Sequence, residues 1–261
     1  MKKLHIIGES FIDRYVFMYS ERLDPATKIP IVKNKEKIDV LGGAGNLHRH
    51  LENLFINDSH HNICFYTNKK NKPIKERFYI DHKPMYRFDH GDKVKHDRNM
   101  ISNMIDEIRE GDYVIISNYH KGLLSDYDIY DILDVCKLRK VITFIDTNIV
   151  GEEYYGCDYL KINNITENIY QNSFNEDINT HFKNVVVTMG VNGYKYYGDN
   201  FVLQNGLTHS KYDFIDSIGA GDAFFAAMIK NIVIGVSIYE SLKKSDLYAS
   251  KSCKKLGTIS L

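Results

Sequence analysis

The sequence predicts an α/β fold, a mainly parallel sheet covered by helices on both faces. Three observations predict it. Short apolar runs rich in β-branched and aromatic residues recur along the chain, each bounded by Gly, Asp or Asn. Between them lie longer segments whose apolar residues fall at helical spacing. The runs read as fully buried strands, and buried strands alternating with amphipathic helices are the mark of a parallel sheet.

In chain order, Leu4–Ile7 is the first buried strand. Two stretches then break the alternation. Ile12–Tyr19 with Ile29–Lys35, and Arg77–Ile80 with Met85–Phe88, read as paired strands joined by turn residues. Ile63–Tyr66 lies between these pairs and is a second buried strand. Asn99–Ile108 is a helix, with Met100, Ile101, Met104, Ile105 and Ile108 on one stripe. Tyr113–Ile116 is a strand, and Ile129, Ile132, Leu133 and Cys136 mark the helix after it. Val141–Ile145, Tyr159–Ile162 and Val185–Thr188 complete the set of strands. Ligands of such sheets bind beyond the carboxyl ends of the strands, so Asn118, Asp146, Asn164 and Gly190 are expected around one crevice.

Composition narrows the function. At 261 residues the chain can bury a core of good size in one large domain, 1–261, with at most a small appendage. Its 34 basic and 34 acidic residues cancel, so no global field favours nucleic acid or an acidic membrane. Cys64, Cys136, Cys157 and Cys253 stand far apart without a Cys-x-x-Cys pair, a pattern of reduced thiols in a cytoplasmic protein. No run is long enough for a membrane span, and the apolar start is too short for a signal peptide. Lys69, Lys70 and Lys72 read as a solvated loop.

The most informative stretch is Asp216-Ser-Ile-Gly-Ala-Gly-Asp-Ala-Phe-Phe-Ala-Ala227. A Gly-Ala-Gly turn enters an acid and then an apolar helix, which offers backbone N–H groups and a helix N-terminus to an anion. That arrangement suits phosphoryl transfer: donors meet the charge on the moving group, and a carboxylate accepts the proton of the attacking hydroxyl. A glycine-rich loop whose Asp222 serves only as a cap gives the same pattern.

The stretch resembles the C-terminal signature of ribokinase-like (PfkB-type) carbohydrate kinases. Gly42-Gly-Ala-Gly-Asn46 resembles their N-terminal glycine signature. Within that family, Gly8-Glu-Ser-Phe-Ile-Asp-Arg-Tyr15 and Pro25-Ala-Thr-Lys-Ile-Pro-Ile-Val-Lys33 are similar to the opening of the heptose-7-phosphate kinases. So are Lys75-Glu-Arg-Phe-Tyr79, Arg87-Phe-Asp89, Ser117-Asn-Tyr-His-Lys-Gly122 and Lys255-Leu-Gly-Thr258.

The resemblance implies a three-layer α/β/α domain with a small β lid, its strands within about 11–37 and 75–90, which often mediates homodimerisation. It implies ATP and Mg²⁺ as companions and a sugar phosphate as acceptor, most closely heptose 7-phosphate at its anomeric hydroxyl, toward a nucleotide-activated heptose. Asp222 becomes the general base and the N–H groups of Gly219, Ala220 and Gly221 the stabilisers of the transferring phosphoryl. Gly42, Gly43 and Asn46 form a sugar wall with Asp13, and Arg14 and Lys33 are cations matched to a substrate phosphate. Asn164-Ile-Thr-Glu167 resembles the Asn-x-x-Glu element of the family, with Glu167 meeting Mg²⁺ through water and Asn163 as an alternative register. Thr188, Gly190 and Gly193 match the turn near the nucleotide phosphates; an ordinary strand–turn–strand gives the same residues.

Two departures bear on the acceptor. Leu47-His48-Arg49-His50 stands where the family has small or apolar residues, and the chain between Leu54 and Lys75 lacks a strand–loop–helix unit. His48, His50, His60 and His61 fit no metal-ligand spacing. The absence of Gly-x-x-x-x-Gly-Lys-[Ser/Thr], Gly-x-Gly-x-x-Gly after the first strand, and Gly-x-Ser-x-Gly argues against P-loop kinases, dinucleotide oxidoreductases and serine hydrolases.

Overall fold

Strands of continuous Val, Ile, Leu and Phe must be covered on both faces, and here they are. A computed structural model describes residues 1–198, 201–205 and 216–254. Its larger sheet contains β1 (Lys2–Gly8), β4 (His61–Tyr66), β7 (Tyr113–Asn118), β8 (Ile142–Thr147), β9 (Tyr159–Asn163), β10 (Val185–Thr188), β11 (Tyr194–Gly198) and β12 (Phe201–Asn205). The spatial order is β12-β11-β10-β9-β8-β7-β1-β4. The six from β4 to β10 run parallel, and β11 and β12 are antiparallel.

Alternation along each strand sends side chains to two separate cores. Leu4, Ile6, Tyr113, Ile115, Phe144 and Val186 pack under α1 (Ala44–Leu54), α5 (Ala220–Val233) and α6 (Ile238–Ser252). Ile7, Val114, Ile116, Ile145, Val185 and Val187 pack under α2 (Arg98–Glu107), α3 (Asp126–Leu138) and α4 (Asn164–Phe174). The predicted stripe on α2 holds, with Ile101, Met104 and Ile108 fully buried, and α3 buries Ile129, Ile132, Leu133 and Cys136. The result is the ribokinase-like α/β/α fold.

The stretches that broke the alternation form a second sheet in the order β3-β2-β5-β6. Its strands are β2 (Ser10–Leu23), β3 (Pro30–Gly43), β5 (Ile74–Ile80) and β6 (Lys83–His90). β2 pairs antiparallel with β3 and parallel with β5, which joins the two predicted hairpins into one surface. Tyr15, Phe17 and Tyr79 pack on its inner face against Ile218, next to the Gly-Ala-Gly turn. Only residues 67–73 connect β4 to β5, which is where the sequence is short.

Helix starts differ in a telling way. Asp97, Ser125, Asn163 and Ser237 cap α2, α3, α4 and α6 with side-chain oxygens that accept backbone N–H groups. α1 and α5 begin instead at Gly43 (φ 61°) and Gly219 (φ 78°), without a side-chain cap. Glu9 O accepts the Ala44 N–H at 3.0 Å and Ser217 O the Ala220 N–H at 3.2 Å, and the N–H groups that follow in each first turn have no intrahelical acceptor. Among the described residues, no helix is long and apolar enough to cross a membrane.

Candidate active site

Asp222 is the third residue of α5, where the helix dipole favours a carboxylate. It is nearly buried, and each of its oxygens has a fixed donor: Asn46 Nδ2 to Oδ2 at 2.8 Å and the Tyr119 hydroxyl to Oδ1 at 2.8 Å. Burial, with the nearby charge of Asp146, raises its pKa to about 6 against the pull of Asn46, Lys161 and Tyr119.

The carboxylate opens on a cavity of about 160 Å³ at the carboxyl ends of β7, β8 and β9. Asn118, Tyr119, Asp146, Lys161, Asn163, Gly219 and Gly221 line it. Lys161 is buried and donates to both oxygens of Asp146, at 2.9 and 3.1 Å. Its ammonium also approaches the glycine turn: a Cβ on Gly221 would lie 3.0 Å from Lys161 Nζ. The Ala220 N–H is taken by Ser217 O at 3.2 Å, so of the three turn residues Ala220 is not an open donor.

A second cavity of about 230 Å³ adjoins the first and shares Gly221. Thr188, Gly190 and Gly193 line it with Ser217 and Ala220, and Phe224 and Ala249 make its walls apolar. Of the four residues expected around one crevice, Asn118 and Asp146 line the first cavity and Gly190 the second. The cleft is thus polar beside Asp222 and more apolar beyond it.

On the lid side, Asp13 is buried and paired with Arg77 Nη1. Burial raises its pKa while Arg77, Lys75 and Arg87 pull it down. Gly42 is required here by space: a Cβ would lie 2.2 Å from Asp13 Oδ2 and 2.3 Å from the Phe11 ring. Gly43 adds the backbone turn into α1.

Several sequence expectations are corrected. Asn46 is fully buried, its amide nitrogen donating to Asp222 and its oxygen accepting from Arg49 Nη2 at 2.8 Å, so both ends of the amide are spent on protein groups. Arg14, one residue from Asp13, points to the opposite face of β2 and grips Asp39 through two bonds of 2.7 and 2.8 Å. Lys33 lies far along β3, exposed and paired with Glu21 at 2.9 Å. Asn164 is exposed in the first turn of α4; Asn163 caps that helix and lines the cavity. Glu167 is buried away from both cavities, held by Lys195 Nζ at 3.1 Å and by the Tyr197 hydroxyl. Both of its oxygens therefore already have protein donors. Among the described residues, no three His, Cys, Asp or Glu gather to hold a metal ion. Lys255-Leu-Gly-Thr258 lies outside the described residues.

Sequence reasoning missed Tyr119 and Lys161. Tyr119 sat inside the Ser117–Gly122 segment without a role. Lys161 carried a readable signal, a lysine between Leu160 and Ile162 in a strand buried on both faces, where a charge persists only with a partner.

A sequence model of the pfkB family carbohydrate kinases matches residues 100–261. The bifunctional protein HldE of Aliarcobacter butzleri (strain RM4018) is 24% identical over 301 residues, covering 97% of this chain and 61% of that protein. The HldE of Campylobacter concisus (strain 13826) is 24% identical over 303 residues, covering 98% and 62%. The chain thus spans less than two thirds of these curated relatives. Phosphofructokinase-2 from Escherichia coli, in complex with fructose-6-phosphate, superposes with a TM-score of 0.71 at 13% identity, covering 98% of this chain and 95% of that one. Arabidopsis thaliana ribokinase with ribose and ATP gives 0.67 at 15% identity, covering 99% and 96%. With the glycine turn, the buried acid and the paired cavities in place, the chain belongs to the pfkB family of carbohydrate kinases and is a sugar kinase.

Proposed function

We propose that this sugar kinase moves the terminal phosphoryl group of ATP to the anomeric hydroxyl of heptose 7-phosphate. The observation that carries the phosphoryl-transfer part is the position of Asp222. It lines the first cavity next to Gly221, the residue shared with the second, at the start of α5 and in the same cavity wall as Lys161. Asp222 takes the proton of the attacking hydroxyl as the oxygen bonds to phosphorus. The N–H groups at the start of α5 and Lys161 meet the charge that spreads over the phosphoryl oxygens. Thr188, Gly190 and Gly193 border the nucleotide, whose phosphates would bring Mg²⁺ and its charge neutralisation with them.

Support for a phosphorylated acceptor comes from the lid. Lys75, Arg77 and Arg87 bring three cations near Asp13, and Arg77 and Arg87 are direct cross-strand partners. Arg77 is paired with Asp13 and Arg87 with Asp89 at 2.7 Å, and a substrate phosphate would compete for these cations. The HldE relatives favour heptose among sugar phosphates. On the outer lid face half-buried Phe78 and exposed Tyr86 and Phe88 form an aromatic cluster with ring centroids 4.8, 5.8 and 5.4 Å apart. We propose this face as a homodimer contact, to be checked by sedimentation of a Phe88→Glu variant. The four free cysteines fit work in a reducing cytoplasm.

The test is a coupled ADP-release assay across sugar phosphates and free sugars. Turnover of heptose 7-phosphate above the others supports the assignment. Robust turnover of fructose 6-phosphate or ribose with none of the heptose would reject it.

A further inference from the structure

We infer that Tyr119 is a positioning residue whose hydroxyl, aimed from a tightly held turn, keeps the Asp222 carboxylate ionised and pointed into the transfer cavity. The inference rests on the reading of Asp222 as the base.

The geometry is specific. Tyr119 and Asn46 donate to different oxygens of Asp222, each at 2.8 Å, so the carboxylate cannot rotate without breaking one of the bonds. The other lone pairs of those oxygens remain for a substrate hydroxyl. Burial and the neighbouring carboxylate hold the Tyr119 pKa well above the usual tyrosine value, so the hydroxyl stays a donor.

The turn that carries Tyr119 is held far more firmly than a connection requires. Glu9, fully buried, accepts the N–H groups of Tyr119 at 2.9 Å, Lys121 at 3.0 Å and Leu123 at 3.3 Å. Asn118 Oδ1 accepts the His120 N–H at 2.9 Å, and Asn118 Nδ2 donates to the Tyr154 hydroxyl at 2.8 Å. His120 adopts a left-handed backbone at φ 53°, which costs a residue with a side chain about 1 kcal/mol or more. Its ring is tied to Thr147 Oγ1 at 2.9 Å. Strain held in place by surrounding bonds points to a fixed side chain nearby, and Tyr119 is the one that reaches the base. Its ring also meets Phe11 edge-on at 5.2 Å and lies 5.5 Å from Lys75 Nζ, which links it to the root of the lid.

Other groups face Asp222. Asp146 from β8 raises its proton affinity, Lys161 from β9 lowers it, and Arg49 from α1 attracts it. Asp13 from β2 faces Tyr119. Tyr119 can be changed without altering charge and almost without altering volume.

The experiment is a carboxyl-carbon NMR titration of the substrate-free protein, with the Asp222 signal identified by its loss in Asp222→Asn. In Tyr119→Phe the midpoint should rise by about one pH unit, the worth of a hydrogen bond to a charged group. The acid limb of kcat/KM should follow it, while nucleotide KM stays near wild type and the melting temperature stays near wild type at pH 4 but falls at pH 8, as the shifted midpoint requires. A purely structural Tyr119 would lower the melting temperature equally at both pH values and leave the midpoint still. An unmoved midpoint in the folded variant overturns the inference even if Asp222→Asn is inactive. An active Asp222→Asn overturns the underlying reading instead, and the substrate-free titration keeps the two failures apart.

Discussion

Asn46 Nδ2 donates to Asp222 Oδ2 across 2.8 Å, joining residues 176 apart in the sequence. The two glycine signatures therefore meet at Asp222. α1 and α5 start side by side at Gly43 and Gly219, and the amide of one helix fixes the carboxylate of the other. Arg49, one turn on in α1, holds the amide oxygen and so sets which end of Asn46 faces Asp222.

Asp222→Asn should lower turnover by about 100-fold or more, because a positioned base is removed while the cavity keeps its shape. The same change should stabilise the protein at neutral pH. The folded-state pKa of about 6, against an ordinary 3.8, means that folding takes up a proton between those values. The associated stability is fully present below pH 3.8 and is lost as pH rises through 6. Asn carries no such loss, so the variant should melt above wild type at pH 8. The gap, at most about 3 kcal/mol, should close near pH 4. Scanning calorimetry at both pH values checks it.

Activity should rise with pH through an acid limb near 6, since the base accepts a proton only when ionised. A kcat/KM profile from pH 5 to 8 measures this, and a limb near 4 would show that the carboxylate is not held in the dry environment described.

Lys161→Met strands the buried carboxylate of Asp146, and breaking such a pair costs about 3–5 kcal/mol. Pairing it with Asp146→Asn should recover most of that loss, because no unpaired charge remains. Urea denaturation of the single and double variants decides the point. Neither should be fully active if the ammonium meets the transferring phosphoryl.

Gly42→Ala places a methyl group within 2.2 Å of Asp13 Oδ2 and against Phe11, so the wall around Asp13 must shift. Overpacking of about 1–3 kcal/mol should raise the acceptor KM about tenfold or more and leave nucleotide binding unchanged. Arg14→Ala is the contrast. Its partner is Asp39 on the outer face of the lid, and the acceptor KM should stay within about twofold of wild type. Initial-rate kinetics with each substrate varied separate the two outcomes.

The local chemistry of the chain was legible because it depends on near neighbours. Continuous apolar runs mark strands that solvent never touches, as Val185–Val187 do, and the 3.6-residue stripe on α2 marks one buried face. The Gly-Ala-Gly-Asp order specifies an uncapped helix start with an acid on its first turn. Side-chain direction in the lid was not legible. Arg14 and Asp13 are adjacent in sequence, yet one faces solvent and the other the site, and strand register alone decides which. A shift of one residue likewise separates Asn163 from Asn164.

The sequence by itself determined the alternating layers, the paired lid strands and the residue types that a phosphoryl-transfer site needs, because periodicity and turn chemistry act within a few residues. Tertiary structure alone decided that Asn46 would hold Asp222, that Glu167 would be spent on Lys195, and that Tyr119 and Lys161 would reach the cavity beside Asp222. Those outcomes depend on which buried polar groups find each other across the sheet, and each such group must be paired wherever the packing leaves it.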